Sequence, residues 1–326
     1  MLASHLDKNF GTKEMQSVPS RNGYGDGLLE AAKRNEKIVA LAADLTESTR
    51  TLPFAEAFPK RFVQVGITEQ NMASVASGMA AMGKVPFIAS YAMFSPGRNW
   101  EQIRTTIAYN NSNVKIIGAH AGVSVGPDGA THQAIEDIAL MRVVPNMIVI
   151  APADVHEARK ATLAAAKHKG PVYIRVGRSN TPVVTTEESP FEIGKAEIMF
   201  EAGSGKGVGL VVTGTLLFNA IKAAQKLAAE GISVTVLHMA TIKPLDKDAL
   251  LALAQKHQGI VTIEEHQKAG GLGGAVAEYL SEVAPIKIIR VGVDDQFGQS
   301  GEPDELIEYY CMGIDSIVSA ARQSLE

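Results

Sequence analysis

From residue 20 onward the chain alternates short apolar runs with longer amphipathic stretches. The runs at 38–43, 62–65, 85–89, 114–119, 147–151 and 172–175 do not alternate strictly between apolar and polar. That pattern predicts strands buried on both faces of a parallel sheet. Helix-period segments lie between and around them at 25–33, 69–82, 99–109, 135–142 and 155–168. Strands alternating with helices imply α/β layers joined by right-handed crossovers. Residues 179–192 break the pattern: Pro182 and Pro190 stand among Thr and acidic residues, which reads as a linker. A second series follows, with strands at 208–213, 233–237, 259–264 and 286–291 and helices at 217–230, 247–257, 274–283 and 304–323. The expected fold class is two α/β domains with mainly parallel sheets, at 19–188 and 189–326, preceded by a polar arm at 1–18.

Composition narrows the functional classes. The length of 326 residues suits two domains of about 150 residues each. With 46% apolar and 20% charged residues the chain can bury sizeable cores. A formal charge of −4 argues against a nucleic-acid binder, which needs a basic stripe to neutralise phosphates. The single cysteine, Cys311, excludes an internal disulfide framework and fits a reducing compartment. The longest uncharged stretch, 207–221, is too short and too polar to span a membrane. Residues His5, Asp7, Lys8, Lys13 and Glu14 leave no apolar run for a signal peptide. A cytoplasmic location is expected.

Three glycine-containing motifs read as structural. Gly122-Val-Ser124-Val-Gly126 matches a nucleophile elbow, but Pro127-Asp128-Gly129 spells a turn where the elbow needs a helix. Gly25-Asp26-Gly27 lacks both the preceding strand and the later asparagine pair of a diphosphate and metal motif, and reads as a helix N-terminus. Gly271-Leu-Gly273-Gly274 has Val276 where a dinucleotide fingerprint needs a small residue, so close helix packing is expected there.

Other features carry more chemistry. Glu69 stands between the 62–65 strand and an Ala- and Met-rich helix. Thr68 as an N-cap with Glu69 as a first-turn carboxylate accounts for it. So does a carboxyl buried among apolar residues and able to hold and pass a proton. Both readings stand on the residues alone. The segment from Gly118 to Gln133 crowds His120, Asp128 and His132 into a long loop after a strand, where open α/β sheets place ligands. A solvated surface loop is one reading of it; as a site, its residue types suit hydrogen bonding to a polyhydroxylated substrate better than zinc. Tyr91, Phe94 and Trp100 frame a Pro96-Gly97-Arg98 loop, and Arg21, Ser48, Arg50, Arg98 and Arg178 are scattered polar candidates. Arg178 follows Gly177 at a strand end, which suits pairing with an anion.

Four segments in order, Ala43-Asp44-Leu-Thr, Gly66-Ile-Thr-Glu69-Gln, Gly126-Pro-Asp128-Gly-Ala-Thr-His132-Gln and Met239-Ala-Thr-Ile-Lys-Pro-Leu-Asp246, resemble the transketolase family of thiamine diphosphate enzymes. The resemblance covers the family's pyrimidine-binding and C-terminal domains, from about residue 20 to the end. It implies that Glu69 hydrogen-bonds the cofactor's aminopyrimidine ring and drives the tautomer change that activates the thiazolium. Glu69 and His132 are then catalytic; Phe94 stacks on the pyrimidine, and Tyr91 and Asp44 lie near the cofactor. Asp128 and His132 would bind sugar hydroxyls, His120 the donor or the acceptor phosphate, and Arg21, Ser48 and Arg178 the substrate phosphate. The implied reaction transfers a two-carbon ketol unit from a ketose phosphate to an aldose phosphate, as in the pentose phosphate pathway.

The family's diphosphate-binding domain, with its GDG…N metal motif, has no counterpart here. The resemblance therefore implies a split transketolase whose other subunit is separately encoded, in an α2β2-like heterotetramer. The ligands of Mg2+ or Ca2+ would lie on that partner chain, and none here. Ser-Pro-Gly after Phe94 departs from the family pattern and leaves its further aromatic contacts open. The alternatives are a deoxyxylulose-phosphate synthase-like subunit, a 2-oxo acid dehydrogenase beta-like subunit, and a non-catalytic regulatory subunit of the same fold. The Asp-Gly-Ala-Thr-His-Gln run favours a sugar-handling member. The C-terminal domain presents no constellation with an evident chemical role.

Overall fold

A computed structural model describes all 326 residues. Seven strands form the first sheet, in the order Thr241–Lys243, Ile148–Ile150, Val172–Val176, Lys115–Ala119, Val85–Tyr91, Ile38–Ala42, Phe62–Gln64. Every neighbouring pair is parallel except the first. Ile38–Ala42, Lys115–Ala119 and Val172–Val176 are buried at each position, which is why their sequences do not alternate. One face packs on the helices Ser20–Arg34 and Val155–Lys167, the other on Glu69–Ala81 and on part of the second domain. No helix is long and apolar enough to cross a membrane.

The second sheet runs Lys287–Val293, Gly259–Gln267, Val208–Val212, Val234–His238, Glu197–Ala202, with only the last strand antiparallel. The single helix expected at 304–323 is two, Pro303–Tyr309 and Ile314–Leu325, parted where Cys311 takes a positive φ of 56°. The segment expected as a helix at 99–109 is one α turn, Trp100–Gln102, followed by a π-helical stretch, Ile103–Ala108.

Gly25-Asp26-Gly27 does not start a helix. It lies inside Ser20–Arg34, where the chain crosses Val155–Lys167 closely. A Cβ on the neighbouring Gly23 would fall 1.9 Å from the Val155 carbonyl oxygen, so this glycine lets two backbones meet. The glycines near 271 serve a different neighbour. A Cβ on Gly271 would fall 2.0 Å from Glu264 Oε2, whose carboxylate accepts the N–H groups of Leu272 and Gly273 at 2.7 Å each and caps the Leu272–Val283 helix.

The polar arm and the linker between the domains are both tied down. In residues 1–18, Leu6 and Phe10 are buried in the second domain's core, and Leu2 bridges to Phe200. Within 179–192, Asn180–Pro182 pairs antiparallel with Ser17–Pro19, and the Asp154 carboxylate accepts the N–H groups of Val184 and Thr185 at 2.9 and 2.6 Å. The domains share one apolar core, to which the first contributes Met72 and Ile138 and the second Met239, Leu250 and Leu272. The strand Thr241–Lys243 carries the second domain's chain into the first sheet. Beside it, His238 Nε2 meets Glu157 Oε2 at 2.7 Å in a buried pair.

Candidate active site

Adjacent parallel strands deliver their following residues to one edge of the first sheet. Asp44 follows Ile38–Ala42, Glu69 follows Phe62–Gln64, Phe94 follows Val85–Tyr91, His120 follows Lys115–Ala119, and Arg178 follows Val172–Val176. This carboxyl-end edge is where open α/β sheets form their crevices. The Gly177 N–H donates to Ser20 Oγ at 2.8 Å, which brings the N-terminus of Ser20–Arg34, and Arg21 with it, to the same edge.

Glu69 is the first residue of its helix and only 1% exposed. Thr68 is not a side-chain cap; its hydroxyl donates back to the Val65 carbonyl at 2.8 Å. The carboxylate is not in a purely apolar setting either. Arg98 Nη1 donates to Glu69 Oε2 at 2.6 Å, and Ser90 Oγ stands 3.4 Å from Oε1. Buried Asn99 donates to the Glu69 carbonyl oxygen at 3.1 Å and to Ser95 Oγ at 3.2 Å, fixing the helix start against the Arg98 loop. The Arg98 guanidinium carbon also lies 4.6 Å from the Phe94 ring centroid. One flat cationic group thus bridges the carboxylate and the ring.

Four aromatic side chains converge beside that bridge. Tyr91 stacks on His120 with ring centroids 3.9 Å apart and on Phe94 at 5.9 Å, while His132 meets Phe94 edge-on at 5.6 Å and Tyr91 at 6.1 Å. Thr131 Oγ1 lies 3.0 Å from His132 Nδ1. His120 sits in the left-handed region at φ 55°. Burial, then the charges of Arg21 and Arg178, push its imidazole down to about 3. It is therefore neutral near pH 7. Its Nε2 accepts from Arg21 Nη1 at 3.0 Å, which leaves the proton on Nδ1, a buried atom with no partner.

The charges of Arg21, Arg50 and Arg178 all act on His120, and the Arg21 guanidinium is itself lowered by burial and then by Arg50 and Arg178. Their bonds go to neutral acceptors: Arg21 to the Ser48 carbonyl at 2.9 Å, Arg50 to Asn22 Oδ1 at 2.8 Å, and Arg178 to the Val125 carbonyl at 2.8 Å. Ser48 thus takes part through its backbone. Asp128 ends the Val123–Asp128 3₁₀ turn and is exposed. Asp44 is exposed at φ 59°, its N–H donating to Gln64 Oε1 at 2.8 Å. No group of three or more His, Cys, Asp and Glu is placed to hold a metal ion.

The second domain supports this edge, which its sequence gave no reason to expect. Gln133 Nε2 contacts the carbonyls of Val123 at 3.0 Å, Gly126 at 3.3 Å and Gln299 at 2.9 Å, fastening the His132 loop to a second-domain loop. Glu265 accepts the Ser124 N–H at 2.6 Å and the Thr215 hydroxyl at 3.0 Å. Ser124 is therefore held in a turn rather than presented at an elbow. Asn99 and Glu265 carried no sequence signal for the contacts to Glu69 and Ser124 that define them, which join distant segments, and Gln133 closed a family-like run with nothing to assign it the joint to Gln299. Arg98 and Arg50 were visible as single cations with nothing to say what they would meet.

Residues 16–184 match the family model described as transketolase, pyrimidine binding domain, and residues 194–317 match transketolase, C-terminal domain. The chain is 43% identical to a protein of Methanocaldococcus jannaschii assigned as a transketolase C-terminal section, over 94% of this chain and 96% of that one. It is 40% identical to the 6-deoxy-6-sulfo-D-fructose transketolase subunit SqwH of a Clostridium species, over 94% of each chain. A solved split gene transketolase, described as an inactive beta4 tetramer, superposes with a TM-score of 0.87 at 46% identity, covering 94% of this chain and 98% of that one. Transketolase from Campylobacter jejuni shares the fold, with a TM-score of 0.80 at 22% identity, and this chain spans 46% of its length.

Proposed function

The chain belongs to the transketolase family, as a split-type subunit built of the pyrimidine-binding and C-terminal domains, and on that premise we propose that it forms half of a ketol-transferring active site. The other half, with the diphosphate site and the ligands of Mg2+ or Ca2+, belongs to a separately encoded chain, and the two assemble as an α2β2-like heterotetramer. The family depends on thiamine diphosphate. When bound, that cofactor supplies the nucleophile and electron sink that allow a C–C bond beside a ketose carbonyl to break and re-form.

The residues present fit its aminopyrimidine. The slot between the buried Glu69 carboxylate and the Phe94 ring is spanned by a planar N–H donor, the Arg98 guanidinium, and therefore suits a flat, hydrogen-bonding ring. Glu69 would bond a ring nitrogen and hold a proton there, Phe94 would cover the ring face, and Tyr91 and Asp44 would border the slot. His132 and Asp128 would bond sugar hydroxyls, His132 lying edge-on to Phe94. The orphan Nδ1–H of His120 suits a substrate oxygen. Arg21, Arg50 and Arg178, with the Ser48 turn beside them, suit a phosphate or sulfonate at the substrate's far end. One observation carries the reading: Glu69, Phe94, His120 and Arg178 follow strands to one edge of the sheet, where Arg21 and Arg50 join them, and none of the three arginines has a carboxylate partner.

The test is reconstitution. The chain is co-expressed with a candidate diphosphate-domain chain, and transfer to ribose 5-phosphate is followed from xylulose 5-phosphate and from 6-deoxy-6-sulfo-D-fructose. Transfer that needs both chains is expected, and the preferred donor identifies the anion. A cofactor-binding complex inactive on ketoses would favour a donor such as pyruvate with glyceraldehyde 3-phosphate, as in the synthase-like alternative. Absence of both complex and cofactor binding would favour the non-catalytic alternative. We place the work in the reducing cytoplasm, in keeping with the lone Cys311.

A further inference from the structure

We propose that Arg98 sets the affinity of the aminopyrimidine slot by occupying it in the free chain and leaving it when the cofactor arrives. The inference rests on the thiamine diphosphate reading of that slot. Two contacts on different atoms define the occupancy: Nη1 at 2.6 Å from Glu69 Oε2, and the guanidinium carbon 4.6 Å from the Phe94 centroid. These are the carboxylate and the ring face that the aminopyrimidine would use, and the guanidinium offers both what the ligand offers, a flat face and an in-plane N–H. A buried carboxylate without a partner is costly, and Ser90 at 3.4 Å is a poor substitute. Arg98 supplies the partner that Glu69 needs.

The geometry also gives Arg98 a way out. Its side chain is 44% exposed, whereas that of Glu69 is 1% exposed, so the guanidinium can swing to water while the carboxylate stays in place. The backbone at this point is anchored independently. Arg98 N–H donates to the Phe94 carbonyl at 3.0 Å, and the adjacent Asn99 is fixed to Ser95 and Glu69. Departure of the side chain leaves the loop, Phe94 and the helix start intact. The observed cofactor affinity is then the intrinsic affinity multiplied by the fraction of chains with Arg98 out.

The experiment is calorimetric titration of thiamine diphosphate with Mg2+ into the two-chain complex, with this chain as wild type, Arg98→Met or Arg98→Lys. Arg98→Met keeps the aliphatic stem and removes the competing donor, so its Kd should fall by roughly tenfold. Arg98→Lys keeps the charge without the flat fork and should lie between. It also keeps the test open if the methionine variant folds poorly by circular dichroism. An unchanged Kd in both variants overturns the proposal, and a raised Kd does so by making Arg98 a holder of the cofactor. If the wild-type complex binds no thiamine diphosphate, the cofactor reading falls and the proposal with it; wild-type binding with unimproved variants removes the proposal alone.

Discussion

The two parallel sheets both end in ionisable side chains, and they differ in what those side chains meet. In the second domain His238 pairs with Glu157, Glu264 caps a helix through two N–H groups, and Glu265 takes the Ser124 N–H and the Thr215 hydroxyl. In the first, His120 Nδ1 and Arg21 Nε are buried without partners, three arginines share only neutral acceptors, and Glu69 is held by a half-exposed arginine. Buried polar groups are normally satisfied, so two unpartnered nitrogens on neighbouring side chains, beside three cations without counter-ions, mark an edge built to receive something. The second domain's edge is a joint that holds the domains together. Similar architecture thus carries two roles, distinguished by individual side chains rather than by fold.

Substitutions that move one edge and spare the other test this contrast. The largest effect is expected at Glu69. Glu69→Gln should cut ketol transfer in the reconstituted complex at least about 100-fold, the scale of a lost proton relay, with an unchanged circular dichroism spectrum. Near-wild-type turnover would remove Glu69 from the chemistry. Glu264→Ala should act on stability instead. It leaves the Leu272 and Gly273 N–H groups buried and unpaired, a loss of about 2–3 kcal/mol in denaturant melts, while KM for the sugars stays the same. Arg178→Ala should show the converse, raising KM for anionic sugars roughly tenfold with little change in kcat, because it removes binding that persists through the reaction. Equal loss in kcat would move Arg178 from binding to chemistry.

The smallest effect is a pH dependence. His120 is depressed from 6.5 to about 3 by burial and its cationic neighbours. Between those values the unfolded chain binds the proton and the native chain does not, so stability is full above pH 6.5 and falls as pH drops toward 3. One such group contributes a slope of up to about 1.4 kcal/mol per pH unit. Urea melts from pH 7 to 5 should be flatter for His120→Gln than for wild type. Identical slopes would mean that the native imidazole takes up a proton as readily as the unfolded one.

How much of this was legible depended on the range of the interactions. Ile38–Ala42, Val85–Tyr91 and Lys115–Ala119 announce themselves as apolar runs because a strand buried on both faces needs nothing else. Thr241–Lys243 does not: it is three residues long and pairs with Ile148–Ile150, some ninety positions away. Leu6 and Phe10 sit in a polar stretch without periodicity, so their burial in the second domain had no local sign. At the site, Glu69, Phe94 and His120 were visible because each follows a strand. The Arg98–Glu69 pair, 29 residues apart, and the Gln133 contact to Gln299, 166 apart, exist only after the sheet has formed.

The most direct measurement is a crystal structure of the two-chain complex with thiamine diphosphate and Mg2+. The aminopyrimidine is expected against the Phe94 ring, with a ring nitrogen within hydrogen-bond distance of Glu69 and the Arg98 guanidinium displaced toward solvent. A cofactor bound away from Glu69, or one seated there with Arg98 still bridging the carboxylate and the ring, would contradict this placement.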